Sequence, residues 1–137
     1  MDVAEVLSFA ASNHRAVLQT YRADGTAQLS PITVGVDVDG DALAVSSRET
    51  AFKVKNLRRD PRASVCLLND GFFGAWAYAE GSVEIVSLPE AMDGLVEYYR
   101  RISGEHPDWD DYRAAMVRDQ RVLIRLRPSR VGPTQHG

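Results

Sequence analysis

The chain has 137 residues, with 16 basic against 19 acidic side chains and a formal net charge of −3. That length suits a single domain over residues 1–137 with a buried core, and the slightly acidic balance argues against general affinity for nucleic acid. The opening MDVAEVLSFAASN has neither a basic n-region nor an unbroken apolar h-region, and nowhere do about 18 apolar residues run together, so a cytoplasmic protein without a membrane span is expected.

Residues 3–11 carry the spacing of a short amphipathic helix. RAVLQTYR and AQLSPITVGVD flank the turn signal ADGT and read as a hairpin, and a second turn, DVDGD, leads into the strand ALAVSS. A helix follows SSRET, with Thr50 as its expected N-cap and Ala51, Phe52 and Lys53 as its first three positions. ASVCLL predicts a fourth strand and AWAYAEGSVEIV a long fifth. PEAMDGLVEYYRRIS and DWDDYRAAMVRD read as helices, with Pro89 near the first turn of one and Asp108 as the N-cap of the other. RVLIRLRP closes the set as a sixth strand, and GPTQHG is left as a loose tail. Six mostly sequential antiparallel strands interrupted by helices predict a mainly β protein, a small barrel with helices at its flanks.

Cys66, the sole cysteine, lies inside the apolar run ASVCLL and is expected in the core. His14, His106 and His136 are far apart and lack ligand-like spacing, so no metal site is expected.

The stretch FKVKNLRRDPRAS contains Lys53 and Lys55, the only lysines of the chain. On a helix, Ala51, Val54 and Leu57 form a narrow apolar stripe, Lys53 and Asn56 share one flank, and Lys55, Arg58 and Arg59 share the other. Arg58 and Arg59 sit in the last turn, where cations offset the negative end of the helix dipole without any ligand. Lys53 sits in the first turn, where a cation opposes the dipole and free backbone N–H groups favour an anion. It is either a solvated lysine or part of a phosphate or carboxylate site.

Alternation along the fifth strand puts Ala75, Ala77, Ala79 and Gly81 on one face and Trp76, Tyr78, Glu80 and Ser82 on the other. The bare face suits a narrow barrel interior. The other face, preceded by Phe72 and Phe73, is more aromatic than the outside of a monomer should be, and calls for the protein's own helices, a partner subunit or a planar ligand. In the second strand Gln28 and Ser30 lie on a face that continues as Ile32, Val34 and Val36, while Pro31 predicts an edge or a bulge.

The series DGTAQLSPI, AVSSRETAFKVKNLRRDPRASV, YAEGSVEIV, EYYRRISGEHPDWDDYRAAM and RVLIRLRPSRV resembles the pyridoxamine-phosphate-oxidase-like split-barrel superfamily over nearly the full length. Within it, K-x-x-N-L-R-R-D-P-R combined with G-E-H-x-D-W-D-D-Y-R is similar to the actinobacterial branch that binds the deazaflavin coenzyme F420. The resemblance implies a six-stranded split barrel of the FMN-binding type, and a homodimer with the cofactor in a groove at the interface. It implies that Lys53 and Asn56 lie near the phosphate, that Gln28, Ser30 and Ser46 line the ring and ribityl part, and that Trp76 is an aromatic wall. Lys55, with Arg58 and Arg59, is implied at the oligoglutamate tail. Several relatives carry an arginine where this chain has Ala51, which leaves the phosphate more dependent on Lys53 and backbone donors. The implied reaction is hydride transfer from reduced F420 to a small electron-poor acceptor, with FMN in place of F420, or a non-catalytic flavin or deazaflavin carrier, as alternatives. No side chain stands out as an obligatory acid; Tyr78 is either a proton donor or a packed tyrosine.

Overall fold

The computed structural model describes residues 1–133. In chain order its elements are α1 (Val3–Ser12), β1 (Arg15–Tyr21), β2 (Ala27–Thr33), β3 (Gly35–Val36), β4 (Leu43–Arg48), α2 (Phe52–Arg59), β5 (Arg62–Leu68), β6 (Trp76–Val86), α3 (Met92–Ser103), α4 (Trp109–Arg118) and β7 (Arg121–Gly132). The strands form one antiparallel sheet in the order β2-β1-β5-β6-β7-β4-β3.

The sheet therefore has seven strands where six were expected. AQLSPITVGVD does not run straight: it breaks at Val34, so that β2 pairs with β1 while β3 pairs with β4 at the far end of the order. One residue joins the two ends of the sheet, which must curl until its edges approach. Val34 is fully buried at this corner and donates its backbone N–H to the His14 carbonyl at 2.8 Å. A curled antiparallel sheet with flanking helices is the split-barrel class.

The concave face holds the core. Leu18, Leu67, Ala77, Ala79 and Ile124 project into it from β1, β5, β6 and β7, joined by Val6 and Ala10 of α1 and by Val54 and Leu57 of α2. Ala77 and Ala79 are fully buried, so the bare side of β6 does face the barrel interior. Each large aliphatic side chain buried here contributes roughly 1.5–3 kcal/mol. A smaller cluster, Ala44, Ala91, Leu95 and Leu123, seals α3 against the convex side of β4 and β7. At Gly81 the β6 strand carries a bulge, and a Cβ there would lie 1.9 Å from the Arg127 carbonyl oxygen, so only glycine lets β7 approach this closely.

Several local expectations change. Thr50 does not cap α2: a turn closed by Ala51 N–H to Arg48 carbonyl at 3.0 Å comes first, Ala51 is the N-cap, and it offers no side-chain acceptor. Pro89 lies in the turn before α3 and outside its first turn. Cys66 is not a core residue, because alternation sends Val65 and Leu67 inward and turns Cys66 to the convex face, where it is half-buried. The tail begins later than expected: Gly132 ends β7, and the Pro133 carbonyl accepts from the Met1 ammonium at 2.8 Å. His136 lies outside the described residues. Asp108 does cap α4, accepting from Asp111 N–H at 3.1 Å.

Candidate functional site

Lys53 occupies the second position of α2 and is half-buried at a cavity of about 500 Å³. The other walls are Pro31, Ile32 and Thr33 at the end of β2, Ser46 on β4, Tyr98 and Tyr99 on α3, Tyr112 and Met116 on α4, and Arg121 at the start of β7. Strand alternation explains two of these. Ser46 pairs with Leu123, which faces α3, so Ser46 and Arg121 project into that same layer while Ser47 and Val122 turn away from it.

The cavity is cationic. Among the described residues neither Lys53 nor Arg121 forms an ion pair, and the Arg121 Nε is buried without a hydrogen-bond partner. Burial, and after it the positive charge of Arg121, push the Lys53 ammonium below its ordinary pKa. Two of the three tyrosine hydroxyls are spent on backbone: Tyr98 donates to the Thr33 carbonyl at 2.7 Å and Tyr112 to the Leu95 carbonyl at 2.7 Å. Burial is the main reason that Tyr98 is raised and that Tyr112 is pushed up to about 12, so both stay protonated as fixed walls.

The motif GEHPDWDDYR turns out to build this wall. Tyr99, His106, Trp109 and Tyr112 form one aromatic cluster with ring centroids 5.1–5.8 Å apart. Glu105 accepts from Arg100 at 2.7 Å and from the Trp109 indole at 3.0 Å, and the Asp108 N–H donates to His106 Nδ1 at 2.9 Å. The motif locks α3 to α4. His14, the other described histidine, has its Nδ1 2.9 Å from the Val34 carbonyl oxygen.

The remaining expected site residues do not all gather here. Asn56 is buried at 6% exposure and its amide donates to Thr20 Oγ1 at 3.1 Å and Gln28 Oε1 at 2.6 Å, while its carbonyl accepts from Arg59 at 3.1 Å. Its hydrogen-bonding capacity is largely consumed in tying α2 to the β1–β2 hairpin, whereas Lys53, on the same flank, reaches the cavity. Ser30 sits on the same face of edge strand β2 as Gln28, opposite Leu18. On the other flank the basic residues separate. Lys55 is exposed with its ammonium 5.4 Å from the Phe52 ring centre, Arg58 pairs with Glu49 at 2.7 Å, and Arg59 donates to the Tyr21 carbonyl at 2.6 Å.

Trp76 and Tyr78 belong to a different surface, the convex face of β2, β1, β5 and β6. The register aligns Pro31, Val17, Cys66 and Tyr78 in one row and Leu29, Gln19, Ser64 and Glu80 in the next. Tyr78 donates its hydroxyl proton to Glu80, and that bond is the main reason its pKa is raised. Burial pushes the Cys66 thiol up, away from thiolate reactivity. Leu29 is 64% exposed, Phe72 62% and Phe73 85%, so this face is open and apolar in the single chain.

A third charged region lies across the sheet. Asp37, Asp39 and Asp41 bring carboxylate oxygens within 4.8 Å of one another, and the Arg125 guanidinium sits among them, donating to Asp37 at 2.7 Å and Asp41 at 3.2 Å.

Sequence reasoning reached Ser46 and Lys53 but missed Tyr98, Tyr99, Tyr112 and Arg121. The tyrosines carried a signal in the helical spacing Leu95–Tyr98–Tyr99–Ile102, which marks a face packed on the sheet. Arg121 carried none beyond its place at a strand start.

Among solved structures, the chain is similar to a conserved hypothetical protein, Rv2991 from Mycobacterium tuberculosis, at 27% identity, with a TM-score of 0.78 over 100% of this chain and 92% of the other. It is also similar to an F420 reductase at 22% identity and a TM-score of 0.71, covering 91% of this chain and 94% of that one. The heme storage protein HutZ from Vibrio cholerae shares the fold at 15% identity and a TM-score of 0.71, over 96% and 94% of the two chains. No helix among the described residues is long and apolar enough to cross a membrane. A model of the pyridoxamine 5'-phosphate oxidase family matches residues 3–135, nearly the whole chain with all of the curled sheet, and the chain belongs to that family.

Proposed function

We propose that this protein is a cytoplasmic F420-dependent oxidoreductase that passes hydride between the deazaflavin coenzyme and a small electron-poor acceptor such as a conjugated alkene or quinone. The observation that carries this reading is Lys53. It is a half-buried cation in the first turn of a helix whose N-cap offers no side-chain acceptor, and it has no acidic partner among the described residues. A cation in that place costs some tenths of a kcal/mol against the helix dipole, and a bound phosphate reverses the sign. The likeness to an F420 reductase supports the deazaflavin.

When bound, the reduced deazaflavin supplies the hydride. The chain's residues do the rest. Lys53 and the first-turn amides of α2 hold the phosphate, and the Ser46 hydroxyl on the same cavity binds the adjoining polar chain. Asn56 holds the Gln28 carbonyl and leaves the Gln28 amide protons to a ligand, with Ser30 beside it on the edge strand. Lys55, exposed at the helix surface, serves the glutamate tail. Trp76 and Tyr78, on the apolar convex face, exclude water from the ring once a second copy of the chain covers that face. Tyr78, with its proton committed to Glu80, is a wall residue, and solvent delivers the reaction's proton.

FMN is the second reading, because a phosphate cavity and an aromatic wall are all that it requires. Titrating the purified protein with F420 and with FMN in parallel, following fluorescence quenching, separates the two. Tighter F420 binding with consumption of reduced coenzyme against a panel of enones and quinones supports the proposal. Tighter FMN binding overturns it, and F420 binding without turnover makes the protein a carrier. Light scattering should show about twice the chain mass; a stable monomer at micromolar concentration removes the shared groove.

A further inference from the structure

Arg121 lines the Lys53 cavity without having been singled out as a site residue by the sequence, and its side chain is placed at a cost. Its Nε is buried without a partner, and an unsatisfied buried donor on a charged group is unfavourable. A second cation, Lys53, lines the same cavity, and Arg48 is the cross-strand partner of Arg121. The two hydroxyls that line the space and are hydrogen-bonded, Tyr98 and Tyr112, donate to backbone carbonyls. The acids close to this end of the molecule are engaged elsewhere, Glu49 with Arg58 at 2.7 Å and Asp119 with Arg48 and Arg118. A fold that merely tolerated Arg121 would pair it with one of them.

We infer that Arg121 is a second anion-binding residue of this cavity, and that the ligand brings at least two negative charges to it. This rests on the reading of the cavity as a cofactor-phosphate site and sharpens it. A single negative charge would leave one of the two cationic charges uncompensated, whereas a dianion neutralises both and satisfies the orphaned Nε. Two ligand chemistries meet this requirement: a phosphate monoester, with both charges on one group, as in FMN, and a phosphodiester followed by a carboxylate, as in F420. Lys53 supplies a compact point charge and Arg121 a planar fork, a pairing suited to one oxygen on Lys53 and two on the guanidinium.

The test compares Arg121→Gln and Arg121→Lys with wild type in binding four probes: F420, FMN, and the phosphate-free riboflavin and ribityl deazaflavin. Arg121→Gln should weaken F420 or FMN by about tenfold and leave the phosphate-free probes unchanged, and Arg121→Lys should recover part of the loss. A loss shared equally by the phosphate-free probes, or no loss on any probe, overturns the inference, as does an Arg121→Lys variant as weak as Arg121→Gln. The ratio of FMN to F420 loss identifies which dianion is used. An independent readout is the Lys53 ammonium followed by NMR: it should titrate at higher pH in Arg121→Gln, because a repelling charge is gone. If wild type binds none of the four probes, the cofactor reading fails, and inorganic phosphate then decides Arg121 alone. Phosphate should raise the melting temperature of wild type and raise it less in Arg121→Gln; an equal rise in both rejects the role.

Discussion

Two arginines on β7, four residues apart, have opposite surroundings. Arg125 is 12% exposed and meets Asp37, itself 1% exposed in its side chain, with Asp41 at 3.2 Å and Glu84 at 3.5 Å. Asp37 also accepts from the Gly40 and Asp41 backbone N–H groups at 2.9 and 3.2 Å, so the pair is built into the turn between β3 and β4. Arg121 forms no ion pair among the described residues, and Lys53 lines the same cavity. Removing one member of a buried, matched pair strands the other charge at a cost in stability, whereas removing an unmatched cation strands nothing, which is what separates the two arginines experimentally. The same contrast disposes of the acidic triplet Asp37, Asp39 and Asp41 as a cation site, because the Arg125 charge already occupies its centre.

Breaking the matched region should have the largest effect. Asp37→Ala strands Arg125 and removes two turn hydrogen bonds, and should cost about 3–5 kcal/mol of stability, read as a lower urea midpoint with unchanged slope. A change under 1 kcal/mol would mean that Asp39, Asp41 and Glu84 suffice.

Breaking the unmatched region should leave stability alone and cost binding. Lys53→Ala should lose about 1.5–3 kcal/mol of cofactor affinity, roughly ten- to hundredfold, with the apo protein equally stable or slightly more so. Added salt should weaken wild type more than the variant. Unaltered affinity for both F420 and FMN, or an unfolded apo protein, would end the anion-site reading.

Arg59 tests the intermediate case of a cation satisfied by backbone. It occupies the favourable end of α2 and donates to the Tyr21 carbonyl, so Arg59→Ala should cost about 0.5–1 kcal/mol of stability with cofactor affinity unchanged. A loss of affinity greater than Lys53→Ala would relocate the anion.

The smallest effect is a pH slope. Lys53 has a folded pKa below its unfolded 10.5, so the folded state sheds its proton first and the unfolded state holds more protons in the window just below 10.5. Stability of the apo protein should therefore rise with pH through that window relative to Lys53→Gln, which lacks the titrating group. Cofactor affinity should fall over the same window as the ammonium is lost. A difference between the two proteins that falls with pH would place Lys53 beside an acid.

Elements set by local pattern were legible. The alternation of β6 put Ala77 and Ala79 inside and Trp76 and Tyr78 outside, because a strand has only two faces. Asp108 capped α4, because a carboxylate one residue before a helix has few better partners than its free N–H groups. The spacing of α2 put Lys53 in the first turn, though one position off, since the Arg48–Ala51 turn forms before the helix starts. The strand count was not legible: Pro31 and Gly35 flank the corner at Val34, but that the chain there leaves one end of the sheet for the other is imposed by the curling of the sheet. Cys66 illustrates the same limit, an apolar run whose middle residue faces outward.

By itself, then, the sequence determined the sheet-rich class, the positions of the helices and the cation at the start of α2, because these depend on residues within a few positions of one another, and it carried the family resemblance through the order of such local segments. Tertiary structure alone decided which charges are matched. Lys53 and Arg121 are 68 residues apart in the chain and meet because β4 pairs with β7 and α2 follows β4, whereas Arg125 meets Asp37 because the same pairing carries the β3–β4 turn alongside it. Electrostatic pairing depends on distance and burial in space, and neither quantity can be read along the chain.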